Sequence, residues 1–277
     1  MKSIVKFNNN QDFYPFQPEI KHIMDHYIEY KPKHAFNNNI ALYYQFHVPT
    51  NNIRSFSLIP DGCFDIVFCC DIENQSASLW TSPIVRSEQL ELKRGCKYFG
   101  VRFLPEQNIF TFNKPMKELL DQQIPLQTAV TITPNTIEAI AHATSFEQRI
   151  IIFDEQLIKY TKRSTKQTIL KYCVNQIYKY KGGLSINVLI ENTGFSDRYI
   201  RHLFNKYIGF SPKQFSQIVR FQNTLTMILK NRPPAMLEVI YANGFYDQAH
   251  FINNFKNFTQ LSPARYRNTL LEQTKTN

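Results

Sequence analysis

Between residues 40 and 104 the apolar positions alternate. In "CFDIVFCC", residues 63–70, Phe64, Ile66 and Phe68 face one way and Cys63, Asp65 and Val67 the other, the period of two that a strand requires. "IALYYQFHV", "IRSFSLIPDG", "SASLW", "EQLELKRG" and "KYFGVRF" continue the pattern, separated by Pro-Asp-Gly, Asn-containing and Arg-Gly turn signals. Short strands so spaced predict a small β-barrel or sandwich. From Glu106 to Tyr160 the period lengthens to that of short helices: Ile137, Ile140 and Ala141, then Phe146, Ile150, Phe153 and Leu157. These last four are expected to pack inside the chain, with a seam for self-association, a homodimer, as the alternative.

The polar, basic stretch "KYTKRSTKQ", residues 159–167, reads as a linker, and nearly continuous helix follows it. Two domains are expected, 1–160 and 161–277, as the length of 277 residues allows. The first helix, about 166–180, gathers Ile169, Leu170, Cys173, Val174 and Ile177 on one face and stops at Gly182-Gly183. A helix over 196–207, with Ser196 as N-cap, sets Arg198, Arg201, His202 and Asn205 opposite Ile200, Leu203, Phe204 and Tyr207. It follows a helix at about 185–192 across the turn Thr193-Gly194-Phe195, which is the layout of a helix-turn-helix. The unit then recurs. Ile190, Gly194 and Phe195 return fifty positions later as Ile240, Gly244 and Phe245. After one extra turn residue, Ser196, Phe204 and Ser211-Pro212 return as Asp247, Phe255 and Ser262-Pro263. A helix from Ser211-Pro212 to about Lys230 joins the copies, and roughly 28 Å of helix is close to the ~34 Å between successive major grooves.

The net charge of +10 changes the picture once it is located. Residues 161–277 hold 17 Lys and Arg against 5 Asp and Glu, whereas residues 1–130 hold 13 of each. A basic segment of that size fits a polyanion, since each neutralised phosphate releases condensed counterions. No apolar run is long enough to span a bilayer, so no membrane partner is expected. "MKSIVKFNNNQDF" lacks the apolar stretch of a secretory signal, so a cytoplasmic protein is expected.

"GFSDRYIRHLFNKYIGFSPKQF…VRFQ…ANGFYDQAHFINNFKNFTQLSPARYR" resembles the AraC-type double helix-turn-helix of bacterial transcription regulators, over roughly residues 166–268. "LIPDGCFDIVF" and "FGVRFLPE" resemble, more loosely, the sensor domain of one subgroup. The resemblance implies an α+β protein. Its N-terminal part would be a small cupin-like β-barrel with following helices, and its C-terminal part an all-α domain of two helix-turn-helix units on a linking helix. Its implied partners are double-stranded DNA, a small-molecule effector and the transcription machinery. Carried over by position, Arg198, Arg201, His202 and Asn205 face DNA in the first unit. In the second, Gln248, Ala249, Ile252 and Asn253 face bases, with His250 and Lys256 near phosphates. Arg220, in the linking helix, falls where the family has a structural or backbone-contacting arginine. Asn253 stands where arginine is frequent and Gln260 where glycine is expected, so the first unit should dominate reading. Arg198 and Arg201 suit guanine, and Gln248 or Asn253 adenine.

In the first half Asp61, Asp65 and Arg102 are candidate ligand-binding groups, although "PDG" is first a turn and an Asp–Arg pair is commonly structural. No cofactor is expected and no catalytic motif is found. The alternative from another class is a metal- or thiol-dependent enzyme or redox sensor tethered to DNA. His22 and His26, four apart, would share a helix face, with His34 and His47 scattered. Among the five cysteines, Cys63, Cys69, Cys70, Cys96 and Cys173, Cys96 lies between Arg94 and Lys97, where basic neighbours favour thiolate.

Overall fold

Alternation on two apolar faces makes a strand that is covered on both sides, and this is how the first half is built. The computed structural model describes residues 13–32, 39–50, 57–88, 90–130, 134–158, 166–230 and 232–274. Residues 1–12, residues 53–56 of "IRSFSLIPDG", His34 and residues 159–165 of the expected linker lie outside the described residues.

Helix α1 (Pro18–Ile23) precedes strands β1 (Asp25–Tyr30), β2 (Ile40–His47), β3 (Phe64–Cys69), β4 (Ser76–Thr81) and β5 (Lys97–Phe103). Helix α2 (Met116–Leu119), strand β6 (Gln123–Pro125) and helices α3 (Leu126–Ala129), α4 (Pro134–His142) and α5 (Phe146–Ile158) complete this half. The strands form one antiparallel sheet in the order β1-β2-β5-β3-β4-β6. Every residue of β3 is buried. Phe64, Ile66 and Phe68 enter one core with Tyr43, Phe99 and Phe153, and Val67 and Cys69 enter another with Leu42, Tyr44, Phe46 and Trp80.

Some expectations change. The described residues of "EQLELKRG" form no strand; Ser87 just before it makes a single bridge to Leu58. β1, largely exposed, and β6, three residues long, have no apolar alternation by which to be found. The candidate self-association seam is used inside the chain. Phe146, Phe153 and Leu157 are buried in the sheet core, with Ile150 against it.

The second half is helical: α6 (Lys166–Lys179), α7 (Ile186–Glu191), α8 (Asp197–Tyr207), α9 (Pro212–Ile228), α10 (Met236–Ala242), α11 (Gln248–Thr259) and α12 (Pro263–Thr274). Ser211 and Gln214 form a capping box at the start of α9, with Pro212 in its first turn. The 17 residues of α9 give a strut of about 25 Å. It serves two cores. Phe215, Ile218 and Val219 pack with Cys173, Ile177, Leu203 and Phe204, and Phe221, Leu225 and Ile228 with Val239, Ile240, Phe251 and Phe255.

The two halves also share these cores. Phe13 stacks on Tyr178 at 4.4 Å, and Ile59 belongs to the core of α10 to α12. Gln222 of α9, fully buried, accepts from the Phe16 N–H at 2.9 Å and donates to the Pro60 carbonyl at 2.8 Å. Such a side chain is held because each stranded polar group would cost about 1–3 kcal/mol.

Candidate nucleic-acid interface

The repeat seen in the sequence is a repeat of backbone geometry. Gly194 and Gly244 have φ of 70° and 65°, and their N–H groups donate to Glu191 and Tyr241, residues also fifty apart. A Cβ at either glycine would meet nothing within 4 Å, so the left-handed backbone and not space requires glycine. Ser196 accepts from the Tyr199 N–H and starts α8; Asp247 accepts from the His250 N–H at 2.7 Å and starts α11. Both helices end in a left-handed residue, Gly209 with φ 93° and Gln260 with φ 61°. Gln260 thus holds the backbone conformation that glycine was expected to supply.

On α8, Ile200, Leu203 and Phe204 are buried, Arg198, Arg201 and His202 exposed and Asn205 half-buried. Four candidate residues therefore lie on the side turned away from the core. On α11, Gln248, Ala249, His250, Asn253 and Lys256 are exposed, whereas Ile252 is half-buried against the core. Arg201 is engaged within α8: its Nε donates to both carboxylate oxygens of Asp197, at 2.9 and 2.7 Å. The sequence reasoning missed this partner, although an aspartate four residues before an arginine on one helix signals it.

Arg220 is turned inward. It donates to the Gly182 carbonyl at 2.9 Å, its guanidinium lies 5.5 Å from the centre of the Phe245 ring, and burial lowers its pKa. It thus ties the turn after α6 to the second helix pair.

The first-half candidates come together, but as an internal cluster. Arg102 donates to both oxygens of Asp65 at 2.8 and 2.7 Å and lies 3.7 Å from Asp61; Tyr44 donates to Asp65 at 2.6 Å and Gln17 to Asp61 at 3.0 Å. Arg102, Asp61 and Asp65 are all buried. Burial pushes the Asp61 carboxyl up, against the pull of Arg102. Burial also disfavours the Arg102 charge, but Asp65 and then Asp61 outweigh it and raise the guanidinium well above its ordinary value. These side chains thus bond chiefly to one another in a buried network, whose further partners Gln17 and Tyr44 lie far apart in sequence. A cavity of about 800 Å³ lies elsewhere, over β3 and β4, and is lined by Val67, Ala77, Leu90, Leu92, Lys93 and Tyr98 among others. The sequence reading missed it because it assigns "EQLELKRG", residues 88–95, to a strand.

Two features of the metal- or thiol-dependent alternative are not met. His22 lies in α1 but His26 in β1, with φ 50°, so they share no helix face. Among the described residues, no group of three His, Cys, Asp or Glu is placed to hold a metal ion. Burial, with Cys69 and Asp71 adding to it, pushes the Cys96 thiol up to about 11 despite its basic neighbours in sequence, and burial raises Cys63, Cys70 and Cys173 as well. Thiols so raised are slow nucleophiles at neutral pH.

Comparison with known proteins follows the same division. Residues 189–269 match the family described as Helix-turn-helix domain, and residues 28–125 match the Domain of unknown function (DUF6597). An uncharacterised HTH-type transcriptional regulator of Haemophilus influenzae is 34% identical over 31% of this chain and 28% of its own length. HTH-type transcriptional regulator MtrA of Neisseria gonorrhoeae is 30% identical over 30% of this chain and 27% of its own, and the Msm operon regulatory protein of Streptococcus mutans 24% identical over 51% and 52%. The chain therefore spans about half or less of the length of these relatives. Among solved structures, ToxT of Vibrio cholerae aligns over 87% of this chain and 97% of its own, at 12% identity and a TM-score of 0.41. No described helix is long and apolar enough to cross a membrane. With its doubled glycine turns and capped helices, the chain carries an AraC-type helix-turn-helix domain in its C-terminal half, preceded by a DUF6597 domain.

Proposed function

We propose that the chain is a sequence-specific DNA-binding transcription regulator, with α8 and α11 entering successive major grooves of one duplex. The observation that carries this is the repetition of a left-handed glycine, a capped helix and an outward polar face at both ends of α9, within a strongly basic segment. In this reading Arg198, Arg201, His202 and Asn205 read bases from α8. Gln248, Ala249, Ile252 and Asn253 do so from α11, and His250 and Lys256 meet phosphates. Arg220 serves by fixing the second helix pair.

The reading divides the chain into a regulatory domain, 1–160, and a double helix-turn-helix domain, 161–277, inside the cell. A cupin-like form for the first is supported by the burial of both faces of β3 and β5, which a sheet covered on one side would not have. A small-molecule effector fits the cavity over β3 and β4, where Lys93 and Gln123 accompany apolar walls. Gln222 and the Pro60 carbonyl offer a route by which such a ligand would bias the position of α9.

Selection of bound duplexes from a random pool by the full chain, at near-physiological salt, tests the reading. The expected result is a motif in two blocks whose centres are ~10–10.5 base pairs apart. A pool with no enriched sequence would overturn it.

A further inference from the structure

Beside α8 the two halves enclose a groove of about 540 Å³. One wall is α8 itself, through His202, Asn205 and Lys206; the other is the segment Phe110–Glu118 of the sheet-bearing half, with Lys114 and Lys117. The second wall is fixed in place. Met116 and Leu119 of α2 are buried in the sheet core, and the Leu120 side chain lies against Gly209 at the end of α8. Gln107 holds the segment's shape by accepting from the Ile109 and Phe110 N–H groups, both at 2.8 Å.

Lys114, Lys117 and Lys206 are exposed, and Glu118 is the one acid among the residues lining the groove. Neither Lys114 nor Lys117 is in an ion pair with another described residue. His202 and Asn205 belong both to this groove and to the face of α8 assigned to base reading. A duplex that receives them in its major groove, ~12 Å wide, runs a phosphate strand across the groove's mouth, where the two lysines stand.

We propose that Lys114 and Lys117 bind the phosphodiester backbone of the duplex read by α8, so that the DNA-binding surface extends beyond the helix-turn-helix domain into the sheet-bearing half. This rests on the reading of α8 as a DNA-reading helix. It also gives the first half a direct part in DNA affinity, apart from any effector. The contacts carry no sequence information, because phosphates are the same at every step.

The test is the salt dependence of binding by the full chain to its selected duplex, for the natural protein, the double variant Lys114→Ala/Lys117→Ala and the double variant Lys114→Arg/Lys117→Arg. Each phosphate contact contributes about 0.9 to the slope of log K against log salt, so the alanine variant is expected to lose about 1.8. The arginine variant should keep the natural slope, and both should select the natural motif. Arg94→Ala, which removes an exposed cation of the first half that lines neither cavity, should leave the slope unchanged and so separate local contact from net charge. An alanine variant with the natural slope would overturn the proposal while leaving the DNA-binding reading intact. So would a slope lost equally in Arg94→Ala, or a changed motif. If the natural chain selects no duplex, the reading of α8 falls and this proposal with it.

Discussion

The turn before α8 and the turn before α11 share a backbone but not a surface. Phe195, after the first glycine, is 44% exposed and lies against Tyr199; Phe245, after the second, is 5% exposed and packs beneath Arg220 and against Phe251. The solvent side of α8 carries Arg198, Arg201 and Lys206, that of α11 amides and a single Lys256. What repeats is what the backbone demands: glycine at positive φ, a side chain to cap the helix, and a buried phenylalanine at Phe204 and Phe255. What differs lies outside that frame. One pair is built for charge at its face, and the other is tied by Arg220 into the fold.

The largest effect expected from this difference concerns the two phenylalanines. Phe245→Ala removes a buried ring and the partner of the Arg220 guanidinium, and should cost about 3–5 kcal/mol. Phe195→Ala, at an exposed position, should stay within about 0.5 kcal/mol. Urea unfolding of both variants checks this, and equal losses would break the comparison.

That asymmetry was not legible in the sequence, where both turns read Gly-Phe. The frame was, because glycines, caps and Ser-Pro pairs are local necessities with short signatures, and the same holds for β2, β3 and β5, whose aromatic and β-branched runs are bounded by turn signals. What joins distant segments could not be read. The arm containing Phe13 and Phe16, Gln222 against Pro60, Arg220 against Gly182 and Arg102 among Gln17, Tyr44 and two aspartates are partnerships across tens to hundreds of residues. Nothing local marks them. Asp61, Asp65 and Arg102 bond to one another across the sheet, and residues 88–93 beside the 800 Å³ cavity carry no turn residue that would have set them apart from a strand.

On DNA the comparison is sharpened by Arg201→Ala and Asn253→Ala. A bidentate arginine on guanine is worth about 1–3 kcal/mol of discrimination, so Arg201→Ala should relax the selected motif at one position of the α8 block. Asn253→Ala should act only in the α11 block, and by less. If Arg201→Ala weakens all duplexes alike and leaves the motif unchanged, Arg201 touches phosphate alone.

A smaller and symmetric effect is expected at the turn glycines. Gly194→Ala and Gly244→Ala both place a Cβ on a left-handed backbone with no neighbour in reach, and each should cost about 1–2 kcal/mol. Urea unfolding reads both. A difference larger than the experimental error would mean that the two turns differ in backbone as well as surface.

The smallest effect tests what Asp197 does for α8. Its carboxylate sits in the first turn, where the helix dipole favours negative charge, and holds the Arg201 Nε. As both groups are about half exposed, the pair contributes about 0.3–0.5 kcal/mol. Asp197→Asn should therefore leave stability nearly unchanged. Its effect on DNA should be opposite in sign, because a carboxylate facing phosphates repels them and competes for the arginine they attract. The expected outcome is tighter binding to all duplexes with the motif unchanged, read by titration of selected and scrambled sites. A motif relaxed at the position of Arg201 would instead make Asp197 a positioning residue that aims the guanidinium at its base. No residue of α11 has that function, since Lys256, its one cation, has Ile252 and not an acid four residues before it.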